Sequence, residues 1–358
     1  MTKKKICWIT SSFLLDVDIP IVPVLQTDYD IDWIVLTTSS NHDGDKALIE
    51  AKGCYKYKLV IDGGVFIHPK KFFFYRNLIK EIKTRNYDLY YFDFLGMPYF
   101  IPLIQMMLPK EKCIIAAHNV KTPKGARYYW LAKPYMDYVV KVYHNFQVFS
   151  INQLDLLKSL NSKANILYAP LCLKDYGKPT VEKDKLPITF LFFGNIVEYK
   201  RVDLLLEATK ILEKKGVTDK WESKYAPLMK GLKNVSIDIR RIPNEEIPNL
   251  FEKSHYFVMP YQDIAQSGAM TVALRYNIPI IASELDTFKE FMNGEDDGYF
   301  FKMGSAVQLA ETMQKAIEEY NTRYTNMCIS QAELVKEKLS TDAILNQYRQ
   351  YIDKLCHN

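Results

Sequence analysis

The sequence lacks several features that would assign it at once to a specialised class. Among its 358 residues, no window of about 20 residues is both apolar throughout and free of charge, so no membrane-spanning helix is expected. The six cysteines are scattered without a Cys-x-x-Cys pair, which argues against a disulfide framework or a zinc site and favours a reducing cytoplasm. A net charge of +5 is too small to predict nucleic acid as a partner. The chain also has no internal repeat, and its length allows two globular domains with full cores.

The first half of the chain alternates between predicted strands and helices. Its strands are β-branched or aromatic runs bounded by turn residues, and such apolar strands separated by helices predict a parallel sheet covered on both faces. This pattern indicates an α/β domain over residues 1–170. The predicted strands are 5–10, 30–39, 57–61, 88–94, 113–118, 146–150 and 165–170, with helical patterns at 70–83, 97–108 and 128–140.

A second α/β domain is predicted over residues 188–340. The preceding segment, 171–187, is polar and contains one glycine and two prolines, which is typical of a linker. The terminal segment 341–358 is predicted as a separate helix. Within the second domain the predicted strands are 188–194, 235–239, 256–260 and 278–283, and the predicted helices are 202–216, 221–232 and 306–321.

One connection in the second domain is too short for this architecture. Only residues 217–220 separate the helix that ends at Gly216 from the next predicted helix. A right-handed crossover should first deliver the chain into a parallel strand, and a strand alone takes about five or six residues. Either one strand has been lost here, or a segment of roughly ten residues is absent from the chain around 216–221.

Two turns in the second domain are the most informative feature of the sequence. We call residues 192–201 turn A and residues 260–268 turn B, and each lies between a predicted strand and a predicted helix. Such turns can point backbone N–H groups and a helix N-terminus at an anion. Two of them, about 70 residues apart in one domain, suggest a site for a diphosphate.

Together with the stretch 240–261 between them, the two turns resemble the donor-sugar domain of family 4 type glycosyltransferases. Turn B, with Gln-Ser-Gly in place of a glutamate pair, is similar to a variant branch of that family. The resemblance covers nearly all of the second domain and, more weakly, the first. It implies the GT-B architecture, in which two doubly wound Rossmann-like domains face each other across a cleft. It further implies that the first domain binds the acceptor, the second binds a nucleotide sugar, and the C-terminal helix braces the first.

At turn A, the resemblance implies that Gly194 and Asn195 contact the donor and that the Lys200 ammonium binds its phosphates. Arg201 replaces the family's usual glycine and would add a second cation. A basic residue that the family commonly has between Gly194 and Lys200 is missing here. The alternative interpretation is a turn glycine followed by a solvated lysine at the start of a helix.

At turn B, Ser267 and Gly268 would open a helix and present N–H groups and a hydroxyl to the diphosphate. Gln266 stands at the position of the family's first glutamate. Asp263 lies near enough in sequence to hold sugar hydroxyls. The alternative here is an ordinary N-cap and turn.

Three further residues are assigned to the donor site. Arg240 and Arg241 follow the predicted strand 235–239, at the edge of a parallel sheet where ligands bind, and one of them would contact the base. By resemblance, Glu290 matches the glutamate that follows the last core strand of the family. It would contact the donor sugar or the phosphates.

On the acceptor side, His118 ends a predicted strand and begins a His-Asn-Val that resembles the family's sequence at this point. It would hydrogen-bond the transferred sugar or orient the acceptor hydroxyl, and a structural histidine is the alternative. Asp16 and Asp18, after the first strand, are candidate bases. No Asp-x-Asp stands in a fitting place, so neither a metal nor another cofactor is expected.

The helical segment 70–85 is both aromatic and basic. Such a helix can lie on an anionic membrane surface, while a core-facing stripe with a solvated opposite face is the alternative. The apolar stripe comprises Phe72, Tyr75, Ile79 and Ile82, and the basic one comprises Arg76, Lys80 and Lys83.

The sequence therefore predicts a cytoplasmic, retaining glycosyltransferase. It would move a sugar from a nucleotide diphosphate sugar to a glycan or lipid-linked acceptor, in cell-surface polysaccharide synthesis, with peripheral membrane contact. Two other functions remain open. A sugar-nucleotide epimerase of the same architecture would need acid–base groups that face the sugar. A catalytically silent binding partner is suggested by the missing glutamate pair.

Overall fold

The computed structural model describes residues 3–62, 67–123, 128–184, 186–212 and 234–357. The chain divides into two compact units: the first comprises Met1–Cys172 and Thr341–Asn358, and the second comprises Leu173–Ser340. Most of the segment 171–187, predicted as a linker, therefore belongs to the second unit. The predicted anomaly around 216–221 lies outside the described residues.

Each unit contains a parallel sheet. The strands of the first sheet are β1 Lys5–Ser11, β2 Asp30–Thr37, β3 Tyr57–Ile61, β4 Leu89–Asp93, β5 Cys113–Ala116, β6 Asn145–Val148 and β7 Asn165–Tyr168. Their order is β3-β2-β1-β4-β5-β6-β7. The order reverses between β1 and β4, and in doubly wound sheets ligands bind beyond the strand ends at such a point.

The sheet of the second unit has four strands in the described part of the chain. They are β8 Phe190–Leu191, β9 Tyr256–Met259, β10 Ile280–Ser283 and β11 Gly298–Phe301, in the order β11-β10-β9-β8. All their pairings are parallel. Clusters of buried apolar residues cover both faces, as the Rossmann-like pattern requires.

The helices lie between these strands and after them. In the first unit they are α1 Leu15–Asp18, α2 Val22–Asp28, α3 His42–Glu50, α4 Pro69–Thr84, α5 Phe100–Met107, α6 Tyr129–Val142 and α7 Ile151–Leu160. In the second they are α8 Val202–Leu212, α9 Ile247–Glu252, α10 Gly268–Arg275, α11 Asp286–Lys289, α12 Ala306–Glu318 and α13 Tyr320–Lys338. The last helix is α14 Thr341–His357.

Helix α14 completes the core of the first unit. Alternation along β1 places Cys7 in the cluster on one face of the sheet and Trp8 in the cluster on the other. Ile344 and Tyr348 of α14 belong to the same cluster as Trp8. The hydroxyl of Tyr348 accepts a hydrogen bond of 2.6 Å from Gln147 Nε2, and both residues are buried. The chain's last helix therefore covers the sheet that its first strand helps to form.

Residues 235–239 do not form the predicted strand. This segment has no regular secondary structure, and Ile237 and Ile239 are exposed. The apolar alternation suited a strand, but β8 is the edge strand of the described sheet and this segment does not pair with it. The prediction was wrong because alternation does not by itself provide a partner strand.

The structure also bears on membranes and metals. Of the described helices, none combines the length and the apolarity needed to cross a bilayer. Within the same residues, no three His, Cys, Asp or Glu side chains are grouped so that they could hold a metal ion.

Candidate active site

Turn A holds a lysine that is largely buried. Gly194 follows β8 with a φ of +123°, and Lys200 ends a 3-10 turn at Glu198–Lys200. A Cβ atom on Gly194 would stand 2.7 Å from Lys200 Nζ, so only glycine leaves room for the ammonium. Lys200 is 8% exposed, and burial lowers its pKa to about 8. Among the described residues its ammonium has no hydrogen-bond or ion-pair partner, whereas buried charges are normally paired.

Arg201, the second cation predicted at turn A, already has a counter-ion. Its Nε donates to both carboxylate oxygens of Asp203, at 3.1 and 3.0 Å. Its φ is +49°, in the left-handed region that glycine adopts at little cost. The Arg201 charge is therefore largely neutralised within the turn.

Turn B opens helix α10 with free amide groups. The Ser267 side chain caps the helix by accepting a 3.2 Å hydrogen bond from the amide of Met270. The first amides of a helix have no acceptor within the helix, and here they belong to Gly268 and Ala269. Their N–H groups and the helix dipole favour an anion at this end.

Tyr261 connects the two turns. Its ring centroid lies 5.2 Å from Lys200 Nζ, and the backbone amide of the adjacent Gln262 donates to the carbonyl of Tyr199 at 2.7 Å. The Tyr261 hydroxyl is buried and makes no hydrogen bond of normal geometry with the described residues. It nevertheless lies close enough to Ser267 for that side chain to lower its pKa, against a larger rise caused by burial. Turn A and turn B therefore meet at this tyrosine.

Sequence reasoning missed a second lysine at turn B. A Cβ atom on Gly268 would stand 3.0 Å from the Nζ atom of Lys174, so the absence of a side chain at Gly268 admits this ammonium. Lys174 comes from the segment predicted as a linker. Tyr261 was missed as well, because a tyrosine after an apolar strand is indistinguishable from a core residue.

Four of the other residues predicted to bind the donor are exposed on the surface. Arg240 is exposed, since 235–239 is not a strand, and it is held by Asp238 at 3.0 Å and by Glu246. The side chain is thus engaged in surface ion pairs and does not lie at a sheet edge. Arg241, Asp263 and Asn195 are exposed as well.

Gln266 and Glu290 are half-buried near turn B. Glu290 follows the short helix α11, and its amide donates to the carbonyl of Asp286 at 3.2 Å. Thr287 of α11 donates through its hydroxyl to the carbonyl of Ile264 at 2.9 Å. This bond ties the helix that precedes Glu290 to the turn that contains Gln266.

In the first unit, His118 is paired with a carboxylate that was not predicted. Its Nε2 lies 2.6 Å from Oδ1 of Asp93, which is fully buried at the end of β4. The ring of Phe149 stacks on the imidazole at a centroid distance of 4.4 Å. The side chain of His118 is 18% exposed, so the imidazole is oriented and still reachable.

Asp18 is not a reachable base, contrary to the prediction. It is fully buried and accepts hydrogen bonds from Trp8 Nε1, at 2.9 Å, and from the hydroxyl of Thr10. Burial raises the pKa of Asp18 well above its usual range, and the charge of nearby Asp93 raises it further. Asp16 is exposed.

Comparison with known proteins identifies the class. A glycosyltransferase from Rickettsia africae shares the fold over 100% of both chains, with 13% sequence identity and a TM-score of 0.70. Sucrose-phosphate synthase from Thermosynechococcus elongatus shares it over 99% of both chains, with 12% identity and a TM-score of 0.71. HepE from Anabaena, in complex with UDP and glucose, matches 98% of this chain and 100% of its own, with 11% identity and a TM-score of 0.71. A search of curated protein sequences finds no match. The fold is therefore that of the GT-B glycosyltransferases.

The family follows from the sequence of the second unit. Residues 177–334 match the profile of the family described as Glycosyl transferases group 1. This segment contains turn A and turn B in full. The second unit accordingly contains a glycosyl transferases group 1 domain, in a chain with the GT-B fold, which confirms the predicted fold and enzyme class.

Proposed function

We propose that the protein transfers a sugar from a nucleoside diphosphate donor to an acceptor hydroxyl, with retention of the anomeric configuration. The observation that carries the proposal is the ammonium of the largely buried Lys200, which has no counter-ion in the described residues and lies where two turns of the second unit meet. A bound diphosphate would supply that counter-ion. HepE has been crystallised with UDP and glucose, so a uridine diphosphate sugar is the first donor to test.

The chemistry assigned to this site is stabilisation of the departing diphosphate. The pKa of Lys200 is about 8, so the group is still mainly protonated at pH 7 and provides a positive charge. The first amides of α10 add aligned dipoles without reorganisation. Charge that develops on the leaving diphosphate would be stabilised more strongly here than in water, because Lys200 is partly desolvated.

A metal-independent reaction belongs to the proposal. The lysine and the helix terminus would balance the negative charge that a divalent cation balances in other phosphate sites. We expect transfer to continue at its full rate after dialysis against EDTA. A dependence of the rate on added Mg²⁺ or Mn²⁺ would contradict this part.

Nucleotide binding tests the proposal directly. Titration calorimetry with UDP and GDP should show binding of at least one of them to the wild-type protein. The Lys200→Ala protein should bind it about tenfold or more weakly, with an unchanged circular dichroism spectrum. Lys302 is exposed in the same unit, so Lys302→Ala serves as a matched control. Absence of binding by either nucleotide would favour the silent binding partner.

The nucleotide sugar then separates transfer from epimerisation. Incubation of a binding UDP-sugar without acceptor should leave the sugar's configuration unchanged, whereas an epimerase would convert it. With an acceptor, NMR of the product should show the same anomeric configuration as the donor. A product with the inverted anomeric configuration would contradict the proposed retention.

We also propose that the acceptor is a glycan or a lipid-linked glycan of a cell-surface polysaccharide, reached at the cytoplasmic face of a membrane. An exposed apolar surface on the first unit supports this. Ile67 and Phe73 are 50% and 60% exposed, and Phe72 is 37% exposed. The Phe72 ring lies 6.0 Å from that of Tyr99, whose hydroxyl donates to the Ile67 carbonyl at 2.8 Å. We call these four residues the aromatic patch.

Basic residues flank the aromatic patch on α4. Lys70, Arg76, Lys80 and Lys83 are exposed, whereas most of the predicted apolar stripe, Tyr75, Ile79 and Ile82, is buried in the core. The predicted apolar stripe therefore mostly faces the core, as the alternative interpretation had it. Contact with lipid is supported by the exposed aromatic patch instead. Aromatic side chains beside cations suit an anionic membrane surface.

Vesicle binding tests the patch. The protein should sediment with vesicles of phosphatidylglycerol and phosphatidylcholine, less so in high salt, and Phe73→Ala should reduce the bound fraction several-fold. Ile329→Ala in the second unit removes a side chain of similar exposure, 54%, and should have no effect. Equal binding by all three proteins would exclude the aromatic patch as the membrane contact.

A further inference from the structure

Lys174 places a positive charge at the positive end of a helix. Its Nζ atom would stand 3.0 Å from a Cβ on Gly268, and its Cε atom 3.2 Å from it. Gly268 is the first residue of α10, where the helix dipole favours a negative charge. An anion bound at this point would interact favourably with both the ammonium and the helix.

The surrounding structure fixes the backbone of Lys174 on the second unit. Arg275 at the end of α10 donates to the carboxylate of Asp175 at 2.7 Å. The next residue, Tyr276, accepts a hydrogen bond from the amide of Tyr176 at 3.3 Å and donates to the carbonyl of Gly177 at 3.0 Å. The three residues that follow Lys174 are thus attached to α10 or to the residue that comes after it. The lysine is positioned by the helix whose N-terminus it approaches.

A second, independent observation points to a ligand at the same place. The Tyr261 hydroxyl is fully buried, lies beside Ser267, and makes no hydrogen bond of normal geometry with any described residue. Buried hydroxyls are nearly always hydrogen-bonded. A phosphate oxygen at the N-terminus of α10 would accept this hydrogen bond.

Turn A supplies only one available cation. The neighbour of Gly194 is the neutral Asn195, and the charge of Arg201 is neutralised by Asp203. A diphosphate ester carries two or three negative charges at neutral pH, so Lys200 alone leaves it undercompensated. The remaining negative charge of the diphosphate therefore requires a second cation at turn B.

We propose that Lys174 is the second phosphate-binding cation of the donor site, so that two lysines from separate segments hold the diphosphate between turn A and turn B. This inference rests on the proposed function. Lys174 binds the phosphate at the N-terminus of α10, and Lys200 binds the phosphate beside Gly194. The site consequently selects diphosphates over monophosphates, since a single phosphate engages only one of the two cations.

The test compares UDP with UMP by titration calorimetry at fixed salt. Wild-type protein should prefer UDP, and Lys174→Ala should reduce UDP affinity by on the order of tenfold while changing UMP affinity less. Lys174→Gln, which keeps the length of the side chain, should behave like the alanine variant, and Lys174→Arg should retain part of the affinity. Thermal unfolding of each variant shows whether it is folded.

Lys178 provides the matched control. It lies four residues further along the same segment and is exposed, and Lys178→Ala should bind UDP like the wild type. If Lys174→Ala and Lys174→Gln both bind UDP as tightly as the wild type while Lys200→Ala does not, this inference is overturned and the proposed function stands. If the wild type binds neither UDP nor GDP, the proposed function itself fails.

Discussion

Nε2 of His118 lies 2.6 Å from Oδ1 of Asp93, and the carboxylate is completely buried at the carboxyl end of the parallel strand β4. The contact orients the imidazole from one side, while the ring of Phe149 stacks on its face. A histidine held in this way presents a fixed edge to a ligand. The contact favours a functional role for His118 over a purely structural one, because Asp93 ends a strand at the edge of the sheet where ligands bind.

Replacement of Asp93 should therefore impair catalysis. Asp93→Asn preserves the size of the side chain but replaces the carboxylate by a neutral amide, so the imidazole loses the negative charge that favours its protonated form and holds its orientation. We expect kcat to fall about ten- to a hundredfold with little change in donor KM. Steady-state kinetics over a range of pH should show a changed profile. Asp137→Asn, on the exposed face of α6, is the control. An unaltered kcat in Asp93→Asn would show that the contact between Asp93 and His118 has only a structural role.

The pKa of Lys200 predicts proton uptake when the donor binds. The free lysine has a pKa of about 8 because of burial, and bound phosphates favour its charged form and raise that value. Between the two pKa values the free protein is deprotonated and the complex protonated, so affinity should fall as pH rises above about 8. Calorimetry at pH 8.5–9 in two buffers of different ionisation enthalpy would detect the proton. Equal heats in both buffers would contradict the assignment.

The same buried charge should destabilise the ligand-free protein. The pKa of Lys200 is lower in the folded state than the ordinary 10.5, so its contribution to stability increases with pH between about 8 and 10.5. Lys200→Met removes an uncompensated cation and keeps the side-chain volume. We expect it to raise the free energy of unfolding at pH 7 by on the order of 1–3 kcal/mol while weakening nucleotide binding. A variant that is less stable and still binds UDP would show that the ammonium has a partner.

Arg201→Gly separates backbone conformation from charge at turn A. Glycine adopts a φ of +49° without the penalty of about 1 kcal/mol that a side chain incurs, which offsets the lost ion pair with Asp203. We expect stability within about 1 kcal/mol of the wild type and UDP affinity within about threefold. Denaturant unfolding and calorimetry would measure both. A loss of affinity as large as that of Lys200→Ala would make Arg201 a phosphate ligand.

The buried contact between α14 and the first unit predicts a large packing effect. Tyr348 is 2% exposed and its hydroxyl accepts a hydrogen bond from Gln147. Tyr348→Ala should lower the free energy of unfolding by about 3–5 kcal/mol, and Tyr348→Phe by about 1–3 kcal/mol, because Gln147 loses a partner. Tyr55 is 76% exposed, so Tyr55→Ala should leave the unfolding midpoint nearly unchanged.

The sequence predicted the parallel strands of the first unit to within a few residues. Buried strands such as β1 and β2 are near-continuous apolar runs, and their pattern is local. The strand predicted at 235–239 was wrong because a strand also needs a neighbour, and local alternation carries no information on that. Helix α13, of 19 residues, was not predicted, since its mixed polar sequence has little periodicity.

The candidate site was only partly predictable for a similar reason. Gly194, Lys200 and Gly268 stand in recognisable turns. Lys174 reaches Gly268 from 94 positions earlier in the chain, and Asp93 reaches His118 from 25 positions earlier. These contacts depend on how distant segments pack, so the residue types alone could not reveal them. Segment 171–187 reads as a linker because it is polar, although Asp175 and its neighbours attach it to α10.

The position of α14 has a consequence for synthesis. Tyr348, which packs against Trp8 and Tyr91, comes after position 340, so a ribosome has to finish the entire second unit before the core of the first can be completed. Domains usually fold in order as they emerge, with the N-terminal one first. Until then one apolar face of the N-terminal sheet is only partly covered, which makes the nascent chain a natural client for chaperones. A premature stop codon before position 341 would therefore leave the core of the first unit incomplete, although the second unit had been synthesised in full.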